Sequence, residues 1–198
     1  MHITEPFEIS VLLLKRPFAT FQRFRQDPPA LQMLIVLVLA WTGVSSYIYS
    51  YLDFERTSEK FYQFIGFSAL GATAFLVVFF ALATVVFVNS RIMFGLGGFE
   101  PLFIASIYIF LSLFVFMAIP VHLMSVTIIP PAMDYWFSVS TRAFIIAYYL
   151  FLLIVAVHKI NSISMIRSAI SVFLIFVYGA FFAFSSLYIS KFFNVPLF

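Results

Sequence analysis

Cysteine is absent from the 198-residue chain, which excludes disulfides, a thiolate nucleophile, an iron–sulfur cluster and any cysteine-ligated zinc. Charge is nearly as scarce. Only 10% of residues are Asp, Glu, Lys or Arg, against about 25% in soluble globular proteins. Five stretches carry none at all: Pro29 to Leu52, Phe61 to Ser90, Pro101 to Met133, Ala143 to His158 and Ser168 to Ser190. The lack of carboxylates in them removes the usual proton or cation relay of a coupled transporter. There is no G-x-S-x-G elbow, H-E-x-x-H pair, P-loop or dinucleotide fingerprint, so no recognised catalytic constellation is spelled out. No segment offers a nucleic-acid-binding domain either, and no cofactor is implied.

What is present is apolar. Hydrophobic residues make up 64% of the chain and the mean hydropathy is +1.09. A hydrocarbon core about 30 Å thick needs roughly 20 apolar residues in helix to cross it. Four of the five uncharged stretches meet that length unaided, and the fourth in order needs its flanks. The spans lack the apolar/polar alternation of a barrel, and backbone groups in lipid must be satisfied within the segment, so the expected class is all-α. The reading is an integral membrane bundle of five transmembrane helices, at about 30–51, 65–90, 102–123, 135–158 and 167–190, forming one domain over 30–198. Residues 1–29 precede it as an interfacial amphipathic segment. The opening MHITEPFE lacks the basic start of a cleaved signal peptide, so the first hydrophobic segment is expected to stay attached. Lys15, Arg16, Arg23, Arg25, Arg91, Lys159 and Arg167 fall on the N-terminal side of this layout, and Arg56, Lys60, Arg142 and Lys191 on the other. The bias predicts a cytoplasmic N-terminus and an external C-terminus.

In the N-terminal segment, Phe18, Phe21 and Phe24 recur every three residues, while Arg23 and Arg25 point elsewhere. Pro17 suits the first turn of a helix there, and Pro28 and Pro29 end it. Such a helix is expected to lie in the headgroup plane as a contact for lipid or a partner, or as a plain anchor for the first span. Residues 7–14 form an apolar companion piece.

Few polar residues remain as site candidates. Arg142 lies about eight residues, or roughly 12 Å, inside a fourth helix that opens at Asp134 or Tyr135. It then has Asp53, Glu55 or Glu59 as possible partners; if the helix opens near Ser140 instead, it snorkels to the interface. His122 follows Pro120, where a lost backbone hydrogen bond predicts a kink. Without companions at i±3 or i±4 it makes no metal centre. His158 and Lys159 sit at the C-terminal end of the fourth helix, where cations favour the helix dipole. The run Gly95, Gly97, Gly98, Glu100 reads as a tight cytoplasmic turn in which the glycines supply positive φ. Ala69 with Thr73, Ser68 with Ala72, and Gly179 with Ala183 have the four-residue spacing that lets helices approach closely.

The order of these parts resembles the Yip family of five-span membrane proteins, whose eukaryotic members take part in Rab-linked trafficking between endoplasmic reticulum and Golgi. The likeness rests on KRPFATF and DPP before the first span, on GLGGFEPLFIASIYIF leading into the third, and on LLIVAVHKINSISMIRSAISVFL. The last is similar to the family's polar linker between the final two helices. The acidic-Gly-Pro motif of the long eukaryotic N-terminal region is missing, so Rab binding does not carry over. The compact form looks like the bacterial or archaeal branch, which implies a cell (inner) membrane location. The resemblance implies a scaffold or bilayer-organising role with no assigned active site.

Three functions are therefore expected in turn. The first is a non-enzymatic scaffold that engages membrane lipids, a membrane-protein partner or a second copy through the N-terminal segment and the cytoplasmic turns. The second is a small permease, channel or lipid-moving protein with Arg142 and His122 lining a path. The third is an accessory subunit of a larger membrane complex, whose neighbours would cover the surface made by 29 Phe and 10 Tyr.

Overall fold

The computed structural model describes residues 5–29, 73, 77–128 and 131–193. The predicted first span, the connection bearing Asp53, Glu55 and Glu59, Ala69 with its neighbours and most of the first half of the predicted second span lie outside them. All regular structure among the described residues is helical. The order is α1 (Glu5–Lys15), α2 (Pro17–Gln26), α3 (Val77–Ile92), α4 (Phe99–Leu113), a π-helical turn (Phe114–Ala118), α5 (Ile119–Thr127), α6 (Pro131–Asn161) and α7 (Met165–Phe193).

Two of these helices are long and apolar enough to cross a membrane: Phe99–Val121, of 23 residues, and Tyr135–Asn161, of 27. Val77–Ile92 and Met165–Phe181 are shorter apolar helices. Helix α4 is the centre of the bundle. Leu102 and the unbroken run Ile104 to Ile109 are buried, so this helix is enclosed on every side, as its all-round apolar sequence requires. Helix α6 packs against α2, α4 and α7, and α1 packs against α2 and α4. The core thus joins the N-terminal arm, α1 and α2, to the membrane helices.

Local chemistry explains the breaks. Pro17 cannot donate a backbone hydrogen bond and disfavours helical geometry at the preceding residue, so α1 stops at Lys15 and α2 starts on the proline. Where the sequence predicts a kink at Pro120, the helix shows a π turn just before the proline. The Ile119 amide bonds to the Phe114 carbonyl, five residues back, just before the proline enters α5. Helix α6 opens on Pro131, earlier than the sequence suggested, because proline is well accommodated in a first turn.

Candidate functional site

Several polar features among the described residues converge at the end of the bundle where α6 turns into α7. Three segments meet there: the N-terminal arm, the α3–α4 turn and the α6–α7 linker.

The arm is docked along α6. The Tyr148 hydroxyl donates to the Leu14 carbonyl at 3.1 Å, one of the acceptors that the end of α1 leaves without a helical partner. Further along, the Phe18 ring meets His158 edge-on at 6.4 Å, and the Lys159 ammonium lies 5.6 Å from the centre of the same ring. At the end of α2 the Arg25 guanidinium donates to the Ser162 hydroxyl. Leu14, Phe18 and Arg25 therefore meet α6 and its linker in order, so the arm leans along the helix. Phe21 and Phe24 are turned inward and are 0% and 1% exposed. Phe24 packs edge-on against Phe21 at 6.0 Å and Tyr108 of α4 at 5.4 Å. Of the three phenylalanines only Phe18 keeps an exposed ring, while Arg23 and Arg25 face outward.

The glycine turn works by a different route from the expected one. None of its glycines has positive φ; the left-handed residue is Phe94, at φ 66°. The glycines are needed because backbone comes too close for a side chain. A Cβ on Gly97 would lie 2.2 Å from the Asn161 amide oxygen and 2.6 Å from the Ile160 carbonyl oxygen; one on Gly95 would lie 2.8 Å from the Ser90 carbonyl oxygen. The Leu96 amide donates to the Asn161 carbonyl at 3.0 Å, joining turn to linker. Arg91 then staples the turn from within, donating to the Gly95 carbonyl at 3.1 Å and the Gly97 carbonyl at 2.8 Å, with its guanidinium 5.0 Å from the Phe87 ring centre. Gly98 and Glu100 are exposed at the start of α4.

In the linker, Ser162 takes the left-handed conformation at φ 56° and ends α6. His158 donates its Nδ1 hydrogen to the Ile163 carbonyl at 2.5 Å, which folds the chain back on itself. The Ser164 carbonyl accepts from the Ser168 amide and hydroxyl, both at 3.0 Å, as α7 begins. The Asn161 carboxamide is buried, has no hydrogen-bond partner among the described residues, and occupies the space that the glycines leave open.

A second polar link was not legible as such. Asn89 of α3 is buried, donates to the Ser171 carbonyl at 3.1 Å and accepts from the Tyr178 hydroxyl at 3.2 Å, tying α3 to α7. A lone Asn in an apolar helix was the only signal, and it carries no charge to draw notice. The sequence reading assigns Arg91 to orientation alone, and its position four residues before Gly95 is the signal for the staple.

The two intramembrane candidates lie on different helices. Arg142 is exposed on α6, nineteen residues before Asn161, or about 28 Å of helix. That distance is close to the thickness of a hydrocarbon core. His122 lies in α5, just past the π turn, and its side chain is outside the described residues.

No curated protein and no solved structure gives a significant match to the chain. The family model described as the Yip1 domain matches residues 11–187, which takes in α2, the glycine turn, the linker and most of α7. Since the match extends over most of the chain, this membrane protein belongs to the Yip family.

Proposed function

We propose that the chain is a non-enzymatic membrane scaffold that presents a preassembled polar platform to a partner or to headgroups. The observation that carries this reading is the convergence of three separate segments on the α6–α7 linker. Arg25 meets Ser162, Leu96 meets Asn161, and His158 closes the turn. Most hydrogen-bonding groups of the hub are spent on joining segments, and cations predominate among the exposed charged groups around it: Lys15, Arg16, Arg23, Arg25, Arg91 and Arg167, against Asp27 and Glu100. This distribution suits holding a surface in shape better than it suits turning over a substrate.

In this reading the linker end is cytoplasmic, the five-span topology holds, and the protein sits in a bacterial or archaeal inner membrane. The basic bias of the flanks supports the orientation. Partner contact runs through the exposed side of α2, with Phe18, Arg23 and the free edge of Arg25. The test is affinity purification in mild detergent from native membranes, comparing the native chain with Arg16→Glu/Arg23→Glu. Both residues are exposed and away from the hub contacts. A stoichiometric partner lost from the variant, with the melting temperature unchanged, is the expected result. Arg142→Ala should leave that partner in place. Retention by the charge-reversed chain, or loss on Arg142→Ala, would sink the reading.

A further inference from the structure

The glycine turn is bound closely to α3 and lightly to the linker. Within the turn, the Gly95 amide donates to the Ser90 carbonyl at 2.8 Å, and Arg91 donates to the Gly95 and Gly97 carbonyls. These bonds lie wholly within residues 90–97, so they persist when the turn moves as a unit. Towards the linker a single hydrogen bond is made among the described residues, from the Leu96 amide to the Asn161 carbonyl. Beside it, the Asn161 carboxamide is 0% exposed, and neither its oxygen nor its nitrogen has a partner among the described residues. Native proteins leave few such groups, because each forfeits the hydrogen bonds that water supplies. Phe94, two residues before Leu96, and Ser162, directly after Asn161, both hold the left-handed conformation, at φ 66° and 56°. For a bulky residue such as Phe that conformation is unfavourable, and outliers of this kind cluster at switch regions. The one catch and these local costs meet at the same joint.

We propose that this joint is a release latch: the α3–α4 turn swings off the α6–α7 linker as a unit, and the docked arm sets how readily it does so. Opening wets the Asn161 carboxamide and restores its hydrogen bonds, which offsets the loss of the Leu96 bond. The arm acts through the neighbouring residue. Arg25 donates to the Ser162 hydroxyl, one position after the carbonyl that catches Leu96, so the arm and the turn hold consecutive residues of one linker. With Arg25 in place the linker backbone is fixed and the Asn161 carbonyl stays aimed at Leu96; without it the catch loosens. Local openings of this kind belong to the low-stability end of native motion. The scaffold reading requires only the closed form. The latch adds an open form and needs no partner, so it fails separately from that reading.

Hydrogen exchange of the full chain in mild detergent, read by mass spectrometry over residues 92–98, tests the latch. Asn161→Ala removes the unpaired carboxamide and should slow exchange of the turn about fivefold or more; a side chain that merely filled space would give faster exchange when truncated. Arg25→Gln and Ser162→Ala remove one bond from its two ends, and each should quicken exchange of the turn about twofold or more. The double variant should go no further than either single one, because both act on the same interaction. Exchange in the buried centre of α4, at residues 104–109, should match the native chain in all four variants, which separates release of the turn from a loss of overall stability. Exchange of the turn that Asn161→Ala leaves unchanged or quickens overturns the proposal. So does a turn that keeps its native rate in Arg25→Gln and Ser162→Ala, which would show that the arm has no hold on it.

Discussion

Helices α2 and α7 both carry phenylalanine at a spacing of three, and the two series meet opposite environments. Phe21 and Phe24 are 0% and 1% exposed, whereas Phe173 and Phe176 are 66% and 50% exposed. Periodicity states that a helix has an aromatic face, and it does not state what that face meets. The amphipathic pattern of α2 suggested a helix lying on the membrane. In the structure, the same pattern seats the arm on α4 and α6. Helix α7 is apolar on nearly all sides, and so its phenylalanines remain outward where lipid can cover them.

The comparison can be broken by truncating one member of each series. Phe24→Ala removes a ring enclosed by Phe21 and Tyr108 and is expected to cost about 3–5 kcal/mol. Phe173→Ala should cost less than about 0.5 kcal/mol. Thermal melts in one detergent check both, and equal losses would mean that the exposed face of α7 is a packed interface.

Glycines sharpen the same contrast. Gly97→Ala drives a methyl group into Asn161 and the Ile160 carbonyl, an overpacking expected to cost about 2 kcal/mol. Gly179→Ala meets nothing within 4 Å and should be neutral or stabilising by up to about 1 kcal/mol through helix propensity. Stability after Gly97→Ala equal to that of the native chain would show that the turn and linker are not in close contact. Among the described side chains, the small-residue spacing at Gly179 is not used for packing within the chain.

A more modest loss than at Phe24 or Gly97 is expected at the link between α3 and α7. Tyr178→Phe removes one hydrogen bond to Asn89 and should cost about 0.6 kcal/mol, the usual scale for such bonds between membrane helices. Asn89→Leu also loses the bond to the Ser171 carbonyl and should cost about 1 kcal/mol. A double-mutant cycle checks that the two share one interaction; strictly additive losses would show that they do not.

Much of the helical layout was legible because its causes are local. Pro17 and the Pro28–Pro29 pair bracket α2 within two residues, and uncharged runs locate α4 and α6. Pro120 was rightly suspect, but whether a helix answers a proline by bending or by widening depends on its neighbours, and here a π turn results. The hub was legible only in parts. GLGG and HKINSIS each stand out in the sequence, yet nothing in either string says that Gly97 must be bare to make room for Asn161. The assignment of positive φ to the glycines followed a sound local rule. It failed because the close approach of a second segment, and not the turn itself, demands glycine there, while Phe94 takes the left-handed position.

By itself the sequence determined that this is a helical membrane protein of the Yip family. Long uncharged runs cannot remain in water, and backbone groups in lipid must pair within their own helix. The tertiary structure alone decided that the arm docks on α6 and that the glycine turn and the linker form one hub. Those outcomes depend on contacts between residues far apart in the chain, such as Arg25 with Ser162, Tyr148 with Leu14 and Leu96 with Asn161. No local pattern encodes which of several compatible surfaces a face will meet.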